Sequence, residues 1–206
     1  WTGNSILEGR IGEKVAADTV TIVDDPTRPG YYGSYTWDDE GVPARRRTIV
    51  ENGVLKGFIH DLETAARFGT VSSGAGRAEG FGHVPIVRMS NTFMEPGETP
   101  AADIFKGIDR GVYLKDGHWG YVFVEKGQFT CHAGRGQEIV DGELGEELRD
   151  VSVSGMTLET LQNMEAVADD FEMDMPGMCG KNGQGAPTDA GGPHVRVKDI
   201  VVGGRG

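Results

Sequence analysis

Residues 46–59 read R-R-T-I-V-E-N-G-V-L-K-G-F-I, and this stretch indicates the fold class. Two apolar runs meet at Asn52-Gly53, and an Asn-Gly pair is favoured in the type I′ turns that close tight β-hairpins. Residues 137–144, Q-E-I-V-D-G-E-L, repeat the pattern around an Asp-Gly pair. The two segments therefore predict a fold built from short antiparallel strands.

Further apolar or alternating runs predict more strands. They cover residues 20–23, 83–94, 119–124, 128–133 and 194–202. Residues 119–124 and 128–133 alternate well enough to pair as a third hairpin. Glycine supplies 33 of the 206 residues, which fits many tight turns between short strands.

Three segments carry helix signals. Residues 61–69 begin with a capping aspartate and end at a glycine, and residues 99–111 begin with Thr-Pro and end at a glycine. Residues 157–168 show an apolar stripe at helical spacing, which we expect to pack in the core. The stripe consists of Leu158, Leu161, Met164 and Val167. We therefore expect a single β-rich α+β domain over residues 1–206, with a curled antiparallel or mixed sheet, or a partial barrel, and about three packed helices.

Composition limits the class of partner. The chain has 20 Lys and Arg against 32 Asp and Glu, which gives a formal net charge of −12 at pH 7. So acidic a surface repels nucleic-acid phosphates, and the basic run at 45–47 is too short to offset it. No apolar run approaches the roughly 18 residues that a membrane span needs, and we expect no signal peptide. Two cysteines make no disulfide framework, which favours a reducing compartment.

Four glycines surround Cys179 within residues 177–185, G-M-C-G-K-N-G-Q-G. Because glycine loses more backbone freedom on ordering than any other residue, this density predicts a loop rather than a helix or strand. We expect the loop to cover about residues 174–193, and loops longer than about 12–15 residues usually carry function. Three roles stay open for the Cys179 thiol: a metal ligand, a nucleophile with His194 as its base, or a small buried apolar group.

The other motifs favour structural roles. No two of the five histidines lie four or five positions apart, so no helix can present a histidine pair on one face, and a complete structural zinc site is absent. The run S-S-G-A-G-R at 72–77 lacks the ending of a phosphate loop, and turn chemistry explains it. The acidic run at 38–40 could do acid–base work, but carboxylates in loops are usually solvated.

Taken in chain order, seven blocks resemble the C-terminal part of the TldD/PmbA metallopeptidases, once called modulators of DNA gyrase. The blocks lie at residues 9–16, 20–26, 38–43, 49–57, 72–77, 88–92 and 179–184. They are collinear and extend over nearly the whole chain. The last two, R-M-S-N-T and C-G-K-N-G-Q, are more similar to the TldD branch than to the PmbA branch.

The resemblance implies a zinc-dependent peptidase. In this family two histidines of an H-E-x-x-x-H helix hold the metal, the glutamate of that helix is the general base, and a cysteine that aligns with Cys179 is the third protein ligand. That helix lies just upstream of the block at 9–16, where this chain begins, so we expect the catalytic glutamate in a missing upstream part. The 206 residues alone should bind zinc poorly and hydrolyse nothing.

The same resemblance implies substrates and partners. Members of the family cleave unfolded or extended peptides, act as homodimers or as heterodimers with a paralogue, and are cytoplasmic. We expect the C-terminal part of such a peptidase; the alternative is a non-catalytic peptide-binding or dimer-forming subunit of the same fold. Five motif residues are candidates for substrate binding, and bracing of loops is an equal alternative for each. They are Arg77, Arg88, Asn91, Lys181 and Gln184.

Overall fold

The structure is a computed structural model that describes residues 5–173 and 175–205, apart from the side chains of His118, Trp119 and Arg205. Its helices are α1 (Leu62–Phe68) and α2 (Thr157–Gln162), and a 3₁₀ turn covers Ala101–Asp103. The strands are β1 (Ile22–Asp24), β2 (Arg47–Glu51), β3 (Val54–Leu55), β4 (Gly76–Arg77), β5 (Ile86–Val87), β6 (Asn91–Met94), β7 (Arg110–Phe123), β8 (Gln128–Val140), β9 (Glu143–Met156), β10 (Met164–Val167), β11 (Glu172–Met173), β12 (Gly177–Lys181), β13 (Gln184–Gly192), β14 (Val195–Val197) and β15 (Val201–Arg205).

The central sheet is mixed. Its strands follow the order β11-β13-β6-β1-β2-β3, and β12 pairs with a further stretch of β13. β13 runs parallel to β6, whereas β1 runs antiparallel to both β2 and β6. The β2–β3 hairpin turns at Asn52 and Gly53, whose φ angles of 47° and 79° confirm the predicted left-handed turn.

A second sheet consists of long antiparallel strands in the order β15-β9-β8-β7. β8 and β9 are joined at Asp141-Gly142, where both φ angles are positive, so the second predicted hairpin is also confirmed. Two smaller ladders, β4–β5 and β10–β14, lie outside these sheets. The fold is therefore β-rich and mixed as expected, but none of the described sheets closes into a barrel.

The apolar core lies between the β2–β3 end of the central sheet and the segment that contains α2 and β10. Its buried members come from three separate parts of the chain: the residues just before β1, the β2–β3 hairpin and β10. They are Val15, Ala16, Val20, Val50, Leu55, Met164 and Val167. Leu158 and Leu161 pack against them, so the predicted apolar stripe is core packing.

Of the three predicted helices, only the first is confirmed over its full length. Asp61 caps α1 through a reciprocal pair of hydrogen bonds with Thr64, and Gly69 ends it in the left-handed region. The helix predicted over 157–168 ends at Gln162, because residues 164–167 pair with β14 instead. The expectation of about three helices is therefore wrong by one.

The helix predicted over residues 99–111 is reduced to the 3₁₀ turn at Ala101–Asp103. Two constraints end it early. Gly107 adopts a left-handed φ of 79°, and the Asp109 carbonyl accepts a hydrogen bond of 2.9 Å from the Asp141 amide at the end of the long sheet. Strand pairing of β7 with β8 thus overrides local helix propensity.

Three strand or loop predictions also need correction. The run at 83–94 divides into β5 and β6, which pair with different partners, and the run at 194–202 divides into β14 and β15. Residues 174–193, predicted as a loop, form β12 and β13 over most of their length, while Asp174 lies outside the described residues. None of the helices in the described chain is long and apolar enough to cross a membrane.

The two hairpin glycines give a matched test of the fold. Gly53 and Gly142 have φ angles of 79° and 81°, so alanine at either position is strained by about 1–2 kcal/mol. A Cβ at Gly53 would also clash with the Ala16 carbonyl oxygen and lie 2.7 Å from that of Ala17, whereas at Gly142 the nearest atom is 3.3 Å away. We expect Gly53→Ala to lower the free energy of unfolding clearly more than Gly142→Ala. Equal losses in urea unfolding would contradict the packing of Gly53 against residues 16 and 17.

Candidate metal centre

Cys179 lies in the middle of β12, on a two-stranded hairpin. It pairs with Ala186 on β13, and the strands turn at Asn182-Gly183, both with positive φ. The sequence analysis predicted a loop here because of the glycine density. That prediction is wrong, because the segment forms two paired strands. A Cβ at Gly177 or Gly180 would have no neighbour within 4 Å, so these glycines lie in open space and not in a packed turn. The Cys179 residue is partly exposed.

The hairpin has two different faces. Cross-strand partners share a face, and side chains alternate along each strand. The face that carries Cys179 also carries Gln184, Ala186 and Thr188, which are all buried. Met178 belongs to the opposite face and is 58% exposed. The thiol is therefore on the inner face of an edge hairpin, on the side where the hairpin meets the rest of the protein.

The side chain of Arg88 is hydrogen-bonded to the backbone of the strand that carries Cys179. Only 1% of this residue is exposed. Its guanidinium group donates hydrogen bonds to the Cys179 carbonyl oxygen on β12 and, at 3.1 Å, to the Gln184 carbonyl oxygen on β13. One side chain thus bridges both strands of the hairpin next to the thiol.

Arg77, on β4, makes a similar connection further along β13. Its guanidinium donates to the Pro187 carbonyl oxygen at 2.7 Å and to the Met89 carbonyl oxygen at 2.9 Å. The same group lies 4.9 Å from the centre of the Tyr35 ring. Burial lowers the pKa of the Arg77 guanidinium and raises that of the Tyr35 hydroxyl. Arg77 therefore ties β4, the segment after β5 and β13 together in a desolvated setting.

Three more side chains complete this connection. Lys181 Nζ donates to the Val87 carbonyl oxygen at 3.0 Å. The Gln184 side-chain amide donates to the Val84 carbonyl oxygen at 3.0 Å and accepts from the Glu79 amide at 3.3 Å. The Glu79 carboxylate in turn accepts from the Gly185 amide at 2.6 Å. We call the five residues Arg77, Glu79, Arg88, Lys181 and Gln184 the polar clamp, because they join the β4–β5 hairpin to the β12–β13 hairpin.

Asn91 lies apart from the clamp, fully buried on β6. Its side-chain amide donates to the Asp25 carbonyl oxygen at 2.7 Å and accepts from the Gly33 amide at 2.9 Å. It therefore holds the segment between β1 and β2. The structure brings four of the five candidate substrate-binding residues together, and all five contact backbone groups of this chain; a contact with substrate stays a prediction for each.

A buried ion pair in the central sheet was missed by sequence analysis, which assigned no role to Asp24. Asp24 is 2% exposed and accepts from Arg47 at 2.5 Å and from the Ser90 amide and hydroxyl, each at 2.7 Å. Thr92 donates to the same carboxylate at 2.8 Å. The pair joins β1, β2 and β6 within the central sheet. No feature of the sequence indicated this pair.

The acidic run and the serine-glycine run brace β4. Asp38 was expected to be solvated, but it is buried. Its carboxylate accepts hydrogen bonds from the Val42 amide at 2.8 Å and from the Gly76 amide at 3.0 Å. Ser73 accepts from the His60 amide at 2.7 Å and donates to the His60 carbonyl oxygen at 2.9 Å. Turn chemistry explains only part of residues 72–77, where Ser72 accepts from the Gly74 amide, because Ser73 bonds the distant His60 and Gly76–Arg77 form β4.

His194 is engaged away from Cys179. Its Nδ1 lies 2.5 Å from an Asp170 carboxylate oxygen and its Nε2 lies 2.8 Å from the Tyr113 hydroxyl. Partial burial alone would raise the pKa of Asp170. Hydrogen bonds from the His194 amide and ring, together with the electrostatic effect of that ring, outweigh burial and lower the pKa of Asp170 below its usual value. With both ring nitrogens occupied, His194 is not placed as a base for the Cys179 thiol.

The described residues offer Cys179 as a candidate metal ligand but do not form a complete metal site. Within residues 5–173 and 175–205, no group of three or more His, Cys, Asp or Glu could hold a metal ion. Cys179 is a single thiol on a firmly held backbone, and a thiolate is a preferred zinc ligand. The role of Cys179 as a metal ligand therefore stays a prediction.

Comparison with known proteins identifies the family. The model of the PmbA/TldA metallopeptidase C-terminal domain matches residues 1–204. A metalloprotease from Methanothermobacter thermautotrophicus is 47% identical over 202 residues, which cover 98% of this chain and 44% of that protein. A zinc metalloprotease TldD homolog from Saccharolobus solfataricus is 38% identical over 204 residues, which cover 98% and 46%. The chain therefore belongs to the PmbA/TldA metallopeptidase family, which confirms the resemblance.

Solved structures agree with this assignment. A proposed modulator of a DNA gyrase from Thermotoga maritima has a TM-score of 0.79 and 30% identity, covering 97% of this chain and 42% of that protein. TldE from Thermococcus kodakarensis has a TM-score of 0.74 and 27% identity, covering 98% and 43%. The chain thus spans less than half of the length of the relatives that it matches.

The imidazole of His60 gives a pH prediction. Burial lowers the pKa of His60 from 6.5, so the folded state binds fewer protons than the unfolded state. This contribution to stability is fully present above pH 6.5 and is lost as the pH falls from there through the folded-state pKa. We expect the free energy of unfolding to fall less between pH 7.5 and pH 5.5, two values chosen to bracket 6.5, in His60→Phe than in the original chain. Parallel pH profiles would contradict a buried, neutral His60.

Proposed function

We propose that this chain, as a member of the PmbA/TldA metallopeptidase family, is the C-terminal domain of a longer zinc-dependent peptidase that hydrolyses unfolded or extended peptides. One observation carries the proposal: Cys179 is a partly exposed thiol on an edge hairpin whose backbone is held by a buried arginine. A cysteine that only filled space in the core would not need its own backbone carbonyl to be held by a buried arginine. The names of the relatives as metalloproteases support the same activity.

In this proposal Cys179 supplies one of three protein ligands to zinc. The other two ligands, a pair of histidines, and a glutamate that serves as general base would come from the part of the protein outside these 206 residues. When bound by three protein ligands, zinc keeps a fourth position for water and lowers the pKa of that water toward about 7. This chain's own task is to present the thiolate and to hold it in place.

The open edge of β12 supports an extended substrate. Among the described strands, β12 pairs only with β13. Across the two-residue turn, Lys181 and Gln184 form a hydrogen-bonded pair, and so do Cys179 and Ala186; the backbone groups of Met178 and Gly180 therefore face away from β13. An extended peptide that added to this edge would lie beside the thiol without competing for it. Pairing with a second subunit, identical or paralogous, and a cytoplasmic location stay predictions.

The test uses the full-length protein and compares Cys179→Ser with Cys131→Ser. Cys131 is a matched control because it is the second free cysteine and lies on β8 in the other sheet. We expect Cys179→Ser to weaken zinc binding by more than the roughly 10–100-fold that loss of an outer partner of a ligand causes, and Cys131→Ser to leave it unchanged. Zinc affinity is measured by chelator competition, and peptidase activity should be lost with chelator and restored with zinc.

Equal zinc affinity in both variants would refute the ligand assignment. Activity that survives chelators but is lost on alkylation of Cys179 would identify a nucleophile instead. A full-length protein that binds peptides without hydrolysing them, and that lacks the histidine pair, would be the non-catalytic subunit.

A further inference from the structure

We infer that Arg88 is a positioning residue for the Cys179 thiol, and that it acts by fixing the β12 backbone and not by contacting substrate. The inference rests on the proposed function of Cys179 as a metal ligand. It assigns Arg88 a role in place of the substrate contact that its motif suggested.

The geometry around Arg88 explains how one side chain can set the thiol direction. Its two terminal nitrogens donate to the carbonyl oxygens of Cys179 on β12 and Gln184 on β13. Because each bond reaches a different strand, the planar guanidinium fork fixes the relative position of the two strands at Cys179. A change in the twist of the hairpin would break one of the two bonds. The peptide group of Cys179 is thereby held, and with it the direction in which the thiol leaves the backbone.

Apart from its backbone pairing with β13, few contacts restrain this part of β12. The neighbouring glycines, Gly177 and Gly180, have no side chain to pack and leave open space around them. Lys181 holds the end of the strand through the Val87 carbonyl oxygen, but its side chain is exposed. The Gly177 carbonyl oxygen accepts a bond of 3.4 Å from the Thr188 hydroxyl, which is long for that type. Arg88 is therefore the buried restraint at the thiol itself.

The charge of Arg88 points to a specific task. No carboxylate among the described residues forms an ion pair with it, and its buried Nε atom has no hydrogen-bond partner there. A buried cation without a carboxylate is costly, and an apolar side chain would attach the hairpin at lower cost. What an apolar side chain could not do is bind two carbonyl oxygens in a fixed plane.

The experiment uses the full-length protein with Arg88→Lys and Arg88→Met. A lysine keeps the charge but is a point donor without the planar fork, and methionine removes both bonds. Arg47→Lys is the matched control, because Arg47 is a buried arginine of the same core that bonds Asp24 and the Ser73 and Gly74 carbonyl oxygens but not the β12–β13 hairpin. We expect both Arg88 variants to weaken zinc binding by roughly 10–100-fold, as loss of a partner that orients a ligand does, and Arg47→Lys to lower stability alone.

A second measurement works without metal. In the metal-free protein, the alkylation rate of Cys179 is divided by that of Cys131, which serves as the internal reference thiol. We expect this ratio to rise several-fold in Arg88→Lys and Arg88→Met, together with faster amide hydrogen exchange at residues 178–180, and to stay unchanged in Arg47→Lys. Should Arg88→Met fail to fold, Arg88→Lys carries both measurements.

The outcomes separate this inference from the proposed function. Unchanged zinc affinity and an unchanged alkylation ratio in the Arg88 variants would overturn the inference, even if Cys179→Ser loses zinc. An equal change in Arg47→Lys would also overturn it, because the effect would then be general destabilisation. If Cys179→Ser keeps its zinc affinity, the ligand assignment fails, and a raised alkylation ratio would then show that Arg88 holds the strand for some other purpose.

Discussion

The candidate site depends on hydrogen bonds from two buried guanidinium groups to the backbone of a glycine-rich hairpin. Arg77 and Arg88 belong to the β4–β5 region, and they reach carbonyl oxygens on β12 and β13 that lie about a hundred positions later in the chain. The hairpin has few large side chains to bury, so apolar packing alone cannot hold it. Polar attachment takes the place of packing at this hairpin.

Because apolar packing stabilises the core and hydrogen bonds attach the hairpin, the core and the candidate site lie in different parts of the molecule. The core joins the β2–β3 hairpin to α2 and β10, where aliphatic side chains are plentiful. The site lies at the other end of the central sheet, where β13 leaves β6 and continues with β12. A strand edge that stays open there is compatible with an extended ligand, since the backbone groups of that edge are still available.

Sequence reasoning worked where a backbone angle or a cap determines the structure locally. The turns at Asn52-Gly53 and Asp141-Gly142 and the cap of α1 were all predicted, because each depends on residues next to one another. It failed at residues 99–111 and 164–167, where pairing with distant strands overrides local propensity. At 177–185 the prediction of a loop considered only the entropy cost of ordering glycine. In the structure, long-range hydrogen bonds from Arg88 to the carbonyl oxygens of Cys179 and Gln184 offset that cost.

The candidate site was predictable only in part. Cys179 and the motif residues were identified from residue type and from the family resemblance, but not one of the clamp contacts could be. An arginine in a sequence does not show which carbonyl oxygen it will meet, and Asp24 gave no sign that it would be buried. Chemistry carried by a single residue can thus be inferred from sequence, whereas the partners that position it require the fold.

X-ray absorption at the zinc edge of the full-length, metal-loaded protein tests the central claim most directly. If Cys179 is the ligand that this chain contributes, the first coordination shell contains one sulfur at about 2.3 Å beside nitrogen and oxygen donors, and the sulfur disappears in Cys179→Ser. A first shell of nitrogen and oxygen alone in the unaltered protein would contradict the claim.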